Sequence, residues 1–358
     1  MRIVIDAEGI FGDNGPKMAH GALRYRPGDV VAVIDSRYAG TTTDAVLSSP
    51  PGSVPIVADL QQAAAYGPDT YLVGFSLLRP SITDYLREQV LRAIGLGLEI
   101  VSGLHYQLTD DAEIAAAAAA RGVRIRDLRR PERAPRLAGR LDHRPGSWTT
   151  LAVGSDSSVG KMTTMLELDR EAVRRGLSST FVATGQTGIM IADRGVPADH
   201  IVVDFLSGSI EEAVLEAAEE HQFVFVEGQG SLNHPAYSAL SLGILHGTCP
   251  DAMILCHRAG AATLAHYPHQ PLPSLTTLIA MHDQACRWLV PAIESTVVGI
   301  SLNTSGLTEQ ESRHEVLRAA EATGLPVADV VRSGAGTLLD AVVDSLSIRS
   351  SSSATATV

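Results

Sequence analysis

Short apolar runs alternate with longer amphipathic or small-residue segments along nearly the whole chain. Each run has the length of a buried strand, and the segments between the runs are long enough for a helix. In the first third of the chain the runs are Met1–Ile5, Val30–Ile34, Tyr71–Gly74 and Leu98–Val101. This alternation predicts a parallel sheet covered by helices on both faces, so we expect an α/β, Rossmann-like domain over residues 1–128.

Two helices of this first domain have sequence signals of their own. Residues 81–94 place apolar side chains at helical spacing. Asp110–Glu113 has the form of a capping box in front of a run of alanines, and Gly122 follows that run. Since a capping box starts helices and glycine often ends them, a helix is predicted between these two signals.

The second half of the chain repeats the α/β pattern. Its apolar runs are Trp148–Val153, Thr180–Ala183, Ile201–Val203, Phe223–Val226, Ala252–Leu255 and Thr296–Leu302. We read these runs as strands separated by helices, which predicts a second domain with a mostly parallel sheet over residues 148–347.

Two segments fall outside both domains. Residues 129–147 are rich in proline and arginine, which favours an interdomain linker in contact with solvent over a direct role in anion binding. Residues 348–358 are a serine-rich stretch of low complexity, and we expect this tail to be disordered.

Length and charge narrow the class of protein. The chain has 358 residues, more than one hydrophobic core usually organises, which agrees with two domains. Its net charge of -12 at pH 7 repels polyanions, so a nucleic acid is not an expected partner. No stretch approaches the ~20 apolar residues of a membrane helix, so no membrane association is expected either.

Cysteine usage bears on the cellular compartment. The three cysteines, Cys249, Cys256 and Cys286, lack the spacing of a metal site, and no signal peptide is recognisable. Reduced thiols in a cytoplasmic protein are the simplest interpretation.

We further expect the protein to form a homo-oligomer and to act on a small molecule.

Residues 154–164 join an apolar strand to a helix through a loop of small residues. Small side chains let successive backbone N–H groups surround an anion, and the helix N-terminus and a lysine add positive charge. This combination predicts a P-loop, the phosphate-binding loop of many nucleotide-binding proteins. The expected phosphate-binding residues are Gly154, Ser155, Asp156, Ser157, Ser158, Val159, Gly160, Lys161, Met162, Thr163 and Thr164.

The loop departs from the Walker A pattern in two ways. Five residues rather than four separate Gly154 from Gly160, and Met162 stands where serine or threonine normally binds magnesium. Thr163 or Thr164 could supply the missing hydroxyl after a small shift in register. The predicted phosphate site does not depend on this shift, whereas the predicted metal site does.

Polar residues at other strand ends are candidates for the same site. Glu227 directly follows the run Phe223–Val226, where an acid could hold a metal or take a proton, although capping a turn is the alternative. Gln186 and Thr187 follow another run and could donate hydrogen bonds to an anion. His234 shares the loop of Glu227, which favours it over His246 and His257 as a catalytic histidine.

The first domain offers a separate group of charged residues and a histidine. Glu8, Lys17, Arg24 and His105 all fall at strand ends or in loops, and we expect them to bind substrate. Ordinary solvation of surface residues explains each of them nearly as well.

Two resemblances follow from these motifs. Gly154-Ser-Asp-Ser-Ser-Val-Gly-Lys161 resembles the phosphate loop of dethiobiotin synthetase, and Glu227-Gly-Gln-Gly230 resembles the segment that follows a Walker-B-like strand in the same enzymes. The whole chain except its tail resembles the DgcN-type D-glutamate N-acetyltransferase family. The segments that carry this resemblance are Ala7–Gly12, Val31–Ser36, Ile100–His105, Val159–Thr164, Ala183–Gly188, Glu227–Ser231, Leu245–Thr248 and Ser301–Thr304.

The family resemblance implies a Rossmann-like domain followed by a P-loop domain. It also implies transfer of an acetyl group from acetyl-CoA to the amino group of D-glutamate or a similar acidic amino acid. The loop would then hold phosphates of the cofactor through Lys161. Such chemistry needs a base and donors to the developing oxyanion, and we expect His234 or Glu227 in the first role and Gln186 in the second.

The sequence is also compatible with two other functions. The loop alone also fits a ligase or kinase that uses ATP and magnesium, in which Thr163 and Glu227 would hold the metal. A nucleotide sensor without catalysis would explain why Met162 replaces the usual hydroxyl. The expected cofactor is thus acetyl-CoA or ATP, the latter with magnesium.

Overall fold

The computed structural model describes residues 1–13, 16–47, 52–77, 81–142, 145–289 and 293–355. Contacts divide the chain into two compact units, one of Met1–Glu132 with Ile189–Asp193 and one of Arg133–Gly188 with Arg194–Val358. In the part of the chain that is described, no helix is both long and apolar enough to cross a bilayer.

The first unit is built on a parallel sheet of six strands in the order β3-β2-β1-β4-β5-β6. The strands are β1 (Ile3–Asp6), β2 (Val30–Ile34), β3 (Ile56–Val57), β4 (Thr70–Val73), β5 (Glu99–Ser102) and β6 (Ile125–Asp127). The helices are α1 (Lys17–Tyr25), α2 (Thr43–Val46), α3 (Leu60–Ala64), α4 (Asp84–Gly95) and α5 (Ala112–Arg121). This strand order is the Rossmann order, so the predicted fold class of the first domain is confirmed.

Burial explains why the strands of this unit read as continuous apolar runs. Every residue of β1 and of β4 is buried, because helices cover both faces of the sheet.

Helix α5 has the predicted boundaries with one shift. Asp111 rather than Asp110 is its N-cap, accepting from the N–H groups of Glu113 and Ile114, and Gly122 ends it in the left-handed conformation.

The second unit also contains a six-stranded parallel sheet, in the order β14-β13-β10-β7-β9-β8. Its strands are β7 (Trp148–Gly154), β8 (Ser179–Val182), β9 (Phe223–Val226), β10 (Ala252–Arg258), β13 (Val297–Asn303) and β14 (Val327–Ala328), and β11 (Thr263–Leu264) with β12 (Tyr267–Pro271) forms a separate antiparallel hairpin. Its helices are α6 (Lys161–Arg174), α8 (Val203–Glu220), α9 (Ser238–Thr248), α10 (Leu275–Cys286), α11 (Glu309–Thr323) and α12 (Gly336–Thr355). Helix α7 (Gln186–Ala192) begins in this unit, and its residues from Ile189 onward are grouped with the first unit. The predicted second α/β domain is confirmed.

One predicted strand is wrong. The run Ile201–Val203 forms no strand, and Val203 is the first residue of α8. Val202 and Val203 are 62% and 66% exposed, so the run lacks the burial that a central strand requires. The apolar side chains of this helix that reach the core lie further along, from Leu206 to Ala218.

Part of the segment predicted as a linker packs on the second unit. Glu211 of α8 is 3% exposed and accepts from the backbone N–H groups of Gly139 and Leu141, each at 2.7 Å, and from Arg136 at 3.1 Å. The segment passes so close to α8 that a Cβ atom on Gly208 would lie 2.1 Å from the carbonyl oxygen of Arg136. Residues 133–142 thus belong with the second unit, while residues 143–144 lie outside the described part.

At the C-terminus, α12 runs through Thr355. It therefore covers most of the segment 348–358, for which the sequence predicts disorder, and residues 356–358 lie outside the described part. The remaining domain boundaries stay predictions.

Candidate functional site

The predicted phosphate loop connects the carboxyl end of β7 to the start of α6. Strands β9 and β10 pair with β7 on either side, so the loop lies in the middle of the sheet edge where ligands of parallel α/β sheets bind. Gly160 precedes the helix with φ at 112°, and Ser158 also has a positive φ of 57°. The first N–H groups of α6, from Lys161 onward, have no carbonyl one turn earlier and therefore point toward an anion site.

Lys161 brings the positive charge of this loop. Its side chain is 6% exposed, and its Nζ donates to the backbone carbonyl of Asp156 at 2.7 Å. Gly154 makes room for the cation, because a Cβ atom there would lie 2.8 Å from Nζ. The loop thus combines a buried ammonium with the N-terminus of a helix, as the sequence predicts.

Asp156, predicted among the phosphate-binding residues, uses its carboxylate within the protein. One oxygen accepts from the N–H of Ser157 and the other from the N–H of Ala265, both at 2.6 Å. Ala265 lies between β11 and β12, so this acid fastens the hairpin to the loop. The contact fixes the conformation of the loop and keeps the negative charge occupied by donors.

Ser155 makes three hydrogen bonds, two to β10 and one to the loop after β9. Its N–H donates to Cys256 at 3.0 Å, its hydroxyl lies 2.9 Å from Nδ1 of His257, and its carbonyl accepts from Asn233 at 3.0 Å. Burial lowers the pKa of His257, so this imidazole is neutral at pH 7. Ser155 and its partners therefore hold the base of the loop in place.

The two threonines proposed for magnesium differ in their surroundings. Thr164 is 1% exposed, and its hydroxyl lies 2.7 Å from Ser301 Oγ and 3.0 Å from the carbonyl of Gly160. Thr163 is half-buried on the same turn. Thr164 serves the packing between α6 and β13, which leaves Thr163 as the hydroxyl near the helix start.

Glu227 lies at the end of β9, as predicted, and stabilises a neighbouring turn. Its carboxylate accepts from the N–H groups of Thr184 and Gly185 at 2.9 and 3.1 Å, just before α7 begins. It is 7% exposed, and a Cβ atom on Gly188 would lie 2.6 Å from it. The predicted alternative, an acid that caps a turn, describes these contacts.

Glu227 also brings Gln186 and Thr187 to the same edge of the sheet, because both lie in the first turn of the helix that it caps. Gln186 is half-buried and Thr187 is buried. The structure thus brings together the residues that the sequence proposes for oxyanion and anion binding, on the side of β9 away from β7. Their catalytic roles stay predictions.

His234 lies beside the phosphate loop and is 2% exposed. Its Nδ1 accepts from the N–H of Ala236 at 3.1 Å, and its Nε2 is 3.9 Å from a carboxylate oxygen of Asp156. Burial is the main cause that lowers its pKa, and the charges of Lys161 and His266 lower it further while Asp156 opposes them. His234 is therefore neutral at pH 7, and its proton is on Nε2 because Nδ1 is an acceptor.

Several residues near the loop are not among the candidates that the sequence suggests. Tyr237 stacks on His234 with ring centroids 4.4 Å apart, and Tyr267 of β12 meets the same imidazole at 5.1 Å with its ring nearly perpendicular. Asn233 and Ser301 hold the loop and its helix. Their positions depend on which distant segments pack together, although the closeness of Tyr237 to His234 in the chain is a signal for one of them.

The substrate-binding candidates of the first domain are spread over its unit. Glu8 follows β1, and its carboxylate accepts from the N–H of Ser36 at 2.8 Å and from the hydroxyl of the same residue. Lys17 opens α1 and is exposed, Arg24 lies in the last turn of that helix with its guanidinium 5.7 Å from the ring centroid of Tyr25, and His105 follows β5. Their substrate-binding role stays a prediction.

His246, which the sequence favours less than His234 as a catalytic residue, makes contacts within the protein. Its Nε2 lies 3.0 Å from the carbonyl of Ala285, and its ring approaches Trp288 at 6.4 Å. These contacts join α9 to the end of α10.

Comparison with known proteins agrees with this architecture. A family model for the P-loop domain of the DUF1611 family, described as a domain of unknown function, matches residues 147–339, and the family's Rossmann-like model matches residues 36–131. The structure is also similar to the crystal structure of a DUF1611 family protein from Anabaena variabilis, with a TM-score of 0.90 and 33% sequence identity. The match covers 96% of this chain and 99% of that protein's chain.

Two curated relatives are similar over most of their length. A protein of Tritonibacter scottomollicae named D-glutamate N-acetyltransferase is 38% identical, over 79% of this chain and 84% of the relative. A protein of Pseudoalteromonas sp with the same name is 35% identical, over 78% of this chain and 82% of the relative. The chain therefore belongs to the DUF1611 family of Rossmann-like and P-loop domains, and it is similar to two proteins named D-glutamate N-acetyltransferase, the family that its sequence motifs resemble.

Proposed function

We propose that this protein transfers the acetyl group of acetyl-CoA to the amino group of D-glutamate or of a similar acidic amino acid. Two relatives named D-glutamate N-acetyltransferase, at 38% and 35% identity, support the reaction. The observation that carries the proposal for the cofactor is the loop before α6, where a lysine and the N-terminus of a helix converge. Such a loop suits the phosphates of a CoA thioester.

The loop residues fit that group. The N–H groups at the start of α6 are donors, and Lys161 can exchange its bond to the carbonyl of Asp156 for a stronger one to a phosphate. The carboxylate of Asp156 is bound by two backbone N–H groups, which partly offset its repulsion of an anion. Backbone donors between Ser158 and Thr163 and the ammonium of Lys161 would therefore hold the cofactor.

The reaction itself balances without a further reactant. The neutral amine attacks the carbonyl carbon of the thioester, a C–N bond forms and the C–S bond breaks. The electron pair of that bond leaves with sulfur, and CoA is released as the thiol after it takes up a proton. The ammonium form of the acceptor must lose one proton before the attack and the attacking nitrogen a second one after it. Donors near the carbonyl oxygen stabilise the charge that develops there.

Magnesium fits the described donors poorly. The hydroxyl of Thr164 is buried against Ser301, and the carboxylate of Glu227 accepts from two N–H groups of the turn before α7. Of the predicted ligands, Thr163 alone keeps a half-buried hydroxyl near the start of α6. A kinase or ligase needs the metal on its phosphates, so this donor set favours the acetyltransferase over that alternative.

Direct measurement of turnover and binding tests the proposal. The purified protein is incubated with acetyl-CoA and D-glutamate, and released thiol and N-acetylglutamate are followed together, with L-glutamate as the matched acceptor. We expect equal amounts of both products with the D-enantiomer. Calorimetric binding of ATP with magnesium, without binding of acetyl-CoA, would replace the proposal by a ligase or kinase. Binding of either without turnover of any amine would favour a sensor.

A further inference from the structure

The ring of His234 is enclosed by its neighbours. Tyr237 covers one face in a stacked arrangement at 4.4 Å, with 22° between the planes, and Tyr267 packs against the ring at 5.1 Å and 86°. Only 2% of the residue is exposed. A substrate amine would have to displace one of these aromatic rings to reach the imidazole.

One nitrogen of this ring accepts a hydrogen bond, and the other lies near a carboxylate without bonding to it. Nδ1 accepts from the N–H of Ala236 at 3.1 Å, so the lone pair that a base needs already has a donor. Nε2 carries the proton and faces Asp156 at 3.9 Å. Accepting a proton from substrate would require the ring to give up the contact with Ala236.

These contacts connect three segments of the second unit. His234 belongs to the loop after β9, Asp156 to the phosphate loop, and Tyr267 to the hairpin of β11 and β12. Asp156 itself also contacts this hairpin, because its carboxylate accepts from the N–H of Ala265 at 2.6 Å. The imidazole therefore lies where the three segments meet and contacts each of them.

The length of a CoA thioester places the acetyl group away from the imidazole of His234. Its pantetheine arm is about as long as four extended residues, so the thioester lies roughly 14 Å from the phosphates when the arm is extended. His234 is 3.9 Å from Asp156 in the phosphate loop. With the phosphates on the loop, the imidazole is beside them and not beside the acetyl group.

We propose that His234 is a positioning residue, which holds the phosphate loop and the hairpin in their binding geometry, and that acetyl transfer takes place about one pantetheine arm away. This inference rests on the proposed function for the identity of the cofactor. It assigns to the ring stack of Tyr237, His234 and Tyr267 the task of keeping Asp156 and its loop in place. The proton acceptor of the reaction is then another group.

Two variants of His234 separate positioning from catalysis. His234→Phe keeps an aromatic ring between the tyrosines and loses both nitrogens, whereas His234→Asn can keep an acceptor for the N–H of Ala236. We expect KM for acetyl-CoA to rise about tenfold in His234→Phe and less in His234→Asn, with kcat within about threefold of the wild type. His246→Phe, at a histidine that contacts α10 and Trp288, is the matched control.

The opposite pattern would overturn the inference. A base that touches substrate contributes on the order of 100-fold to kcat, so its loss lowers kcat with KM unchanged and removes the acidic limb of the pH profile. Calorimetric titration with CoA itself needs no turnover and keeps the two proposals apart. If the wild type transfers no acetyl group but His234→Phe still weakens CoA binding, the proposed function fails and the positioning role stands.

Discussion

The ammonium of Lys161 donates a hydrogen bond to the backbone carbonyl of Asp156, with 2.7 Å between the two atoms. This side chain is 6% exposed, and the acceptor of this bond is a neutral group of its own loop. Since a charged acceptor binds an ammonium more strongly than a carbonyl does, a phosphate can replace this bond at a net gain. The loop thus already has the geometry that the proposed phosphate site requires.

Removal of this cation is expected to weaken acetyl-CoA binding. Lys161→Ala leaves the backbone donors of α6 in place and deletes one charged hydrogen bond, worth about 1.5–3 kcal/mol, so Kd should rise roughly 10- to 150-fold. Isothermal titration calorimetry measures the change. Arg313 is an exposed cation of α11 that pairs with Glu309, and Arg313→Ala should leave this Kd unchanged. Equal effects of the two variants would speak against a phosphate site at the loop.

Gly228 is expected to tolerate no side chain. A Cβ atom there would lie 1.8 Å from the carbonyl oxygen of Ala152 and 3.3 Å from Cδ of Lys161. Because the first neighbour is backbone of β7, the strand itself would have to move, and Gly228→Ala should cost at least about 3 kcal/mol of unfolding free energy. Urea denaturation followed by tryptophan fluorescence measures this loss. The signal reports on the second unit, because Trp148 and Trp288 both belong to it.

Gly336→Ala is the matched control for that measurement. A Cβ atom at Gly336 would meet the end of the Arg175 side chain at 3.0 Å, and a flexible guanidinium can give way. We expect a change below about 1 kcal/mol, because the residue lies in the first turn of α12. If the two variants unfold at the same urea concentration, the close approach of Gly228 to β7 is not a constraint on the fold.

Residues of this site that are close together in the chain can be predicted from the sequence. Contacts between distant segments cannot be. Gly154, Gly160 and Lys161 are neighbours in the chain between an apolar strand and a helix, so their joint role follows from spacing alone. Glu227 is predicted at the same edge because parallel strands end there together. The bond of Asp156 to Ala265 joins residues 109 positions apart, and no local pattern indicates it.

The errors in secondary structure have a similar origin. The run Ile201–Val203 is apolar and short, as a strand would be, yet two of its residues are largely exposed and open a helix. Burial, which separates the two cases, is a property of the folded chain. The cap of α5 shows the same limit on a smaller scale, since Asp110 and Asp111 are equally good caps and the structure uses the second.

Acid is expected to destabilise the second unit partly through His282. This histidine of α10 is 2% exposed, Nδ1 donates to the carbonyl of Leu278 at 2.8 Å, and burial lowers its pKa from 6.5 to about 4. Between these two pH values the unfolded chain binds a proton that the folded one rejects. Stability from this group is complete above pH 6.5, falls as the pH drops, and is lost by about pH 4, at a cost of roughly 3 kcal/mol.

Urea titrations of the wild type and of His282→Gln across that pH range test the assignment. The variant should be less stable at pH 7 and should lose less of its unfolding free energy between pH 6.5 and pH 4. His234 and His257 keep part of the slope, because burial lowers the pKa of each of them as well. His314→Gln, at an exposed position of α11, should follow the wild type. An unchanged slope in His282→Gln would show that other groups control the acid transition.

Glu211 is expected to protect residues 133–142 from proteolysis. Its buried carboxylate accepts from the N–H groups of Gly139 and Leu141 and from the guanidinium of Arg136. Glu211→Ala leaves these three donors without their acceptor, so the segment should leave α8 more often and trypsin should cut after Arg136 or Arg140 at least about tenfold faster. Mass spectrometry of the early fragments locates the cuts. Glu216 pairs with Arg133 at the surface, where an ion pair contributes little, so Glu216→Ala should be cut at nearly the wild-type rate. Faster cutting of Glu211→Ala throughout the second unit would mean that the carboxylate supports the whole core. Cuts confined to residues 133–142 would show that Glu211 holds this segment, which leads into the P-loop domain, on α8.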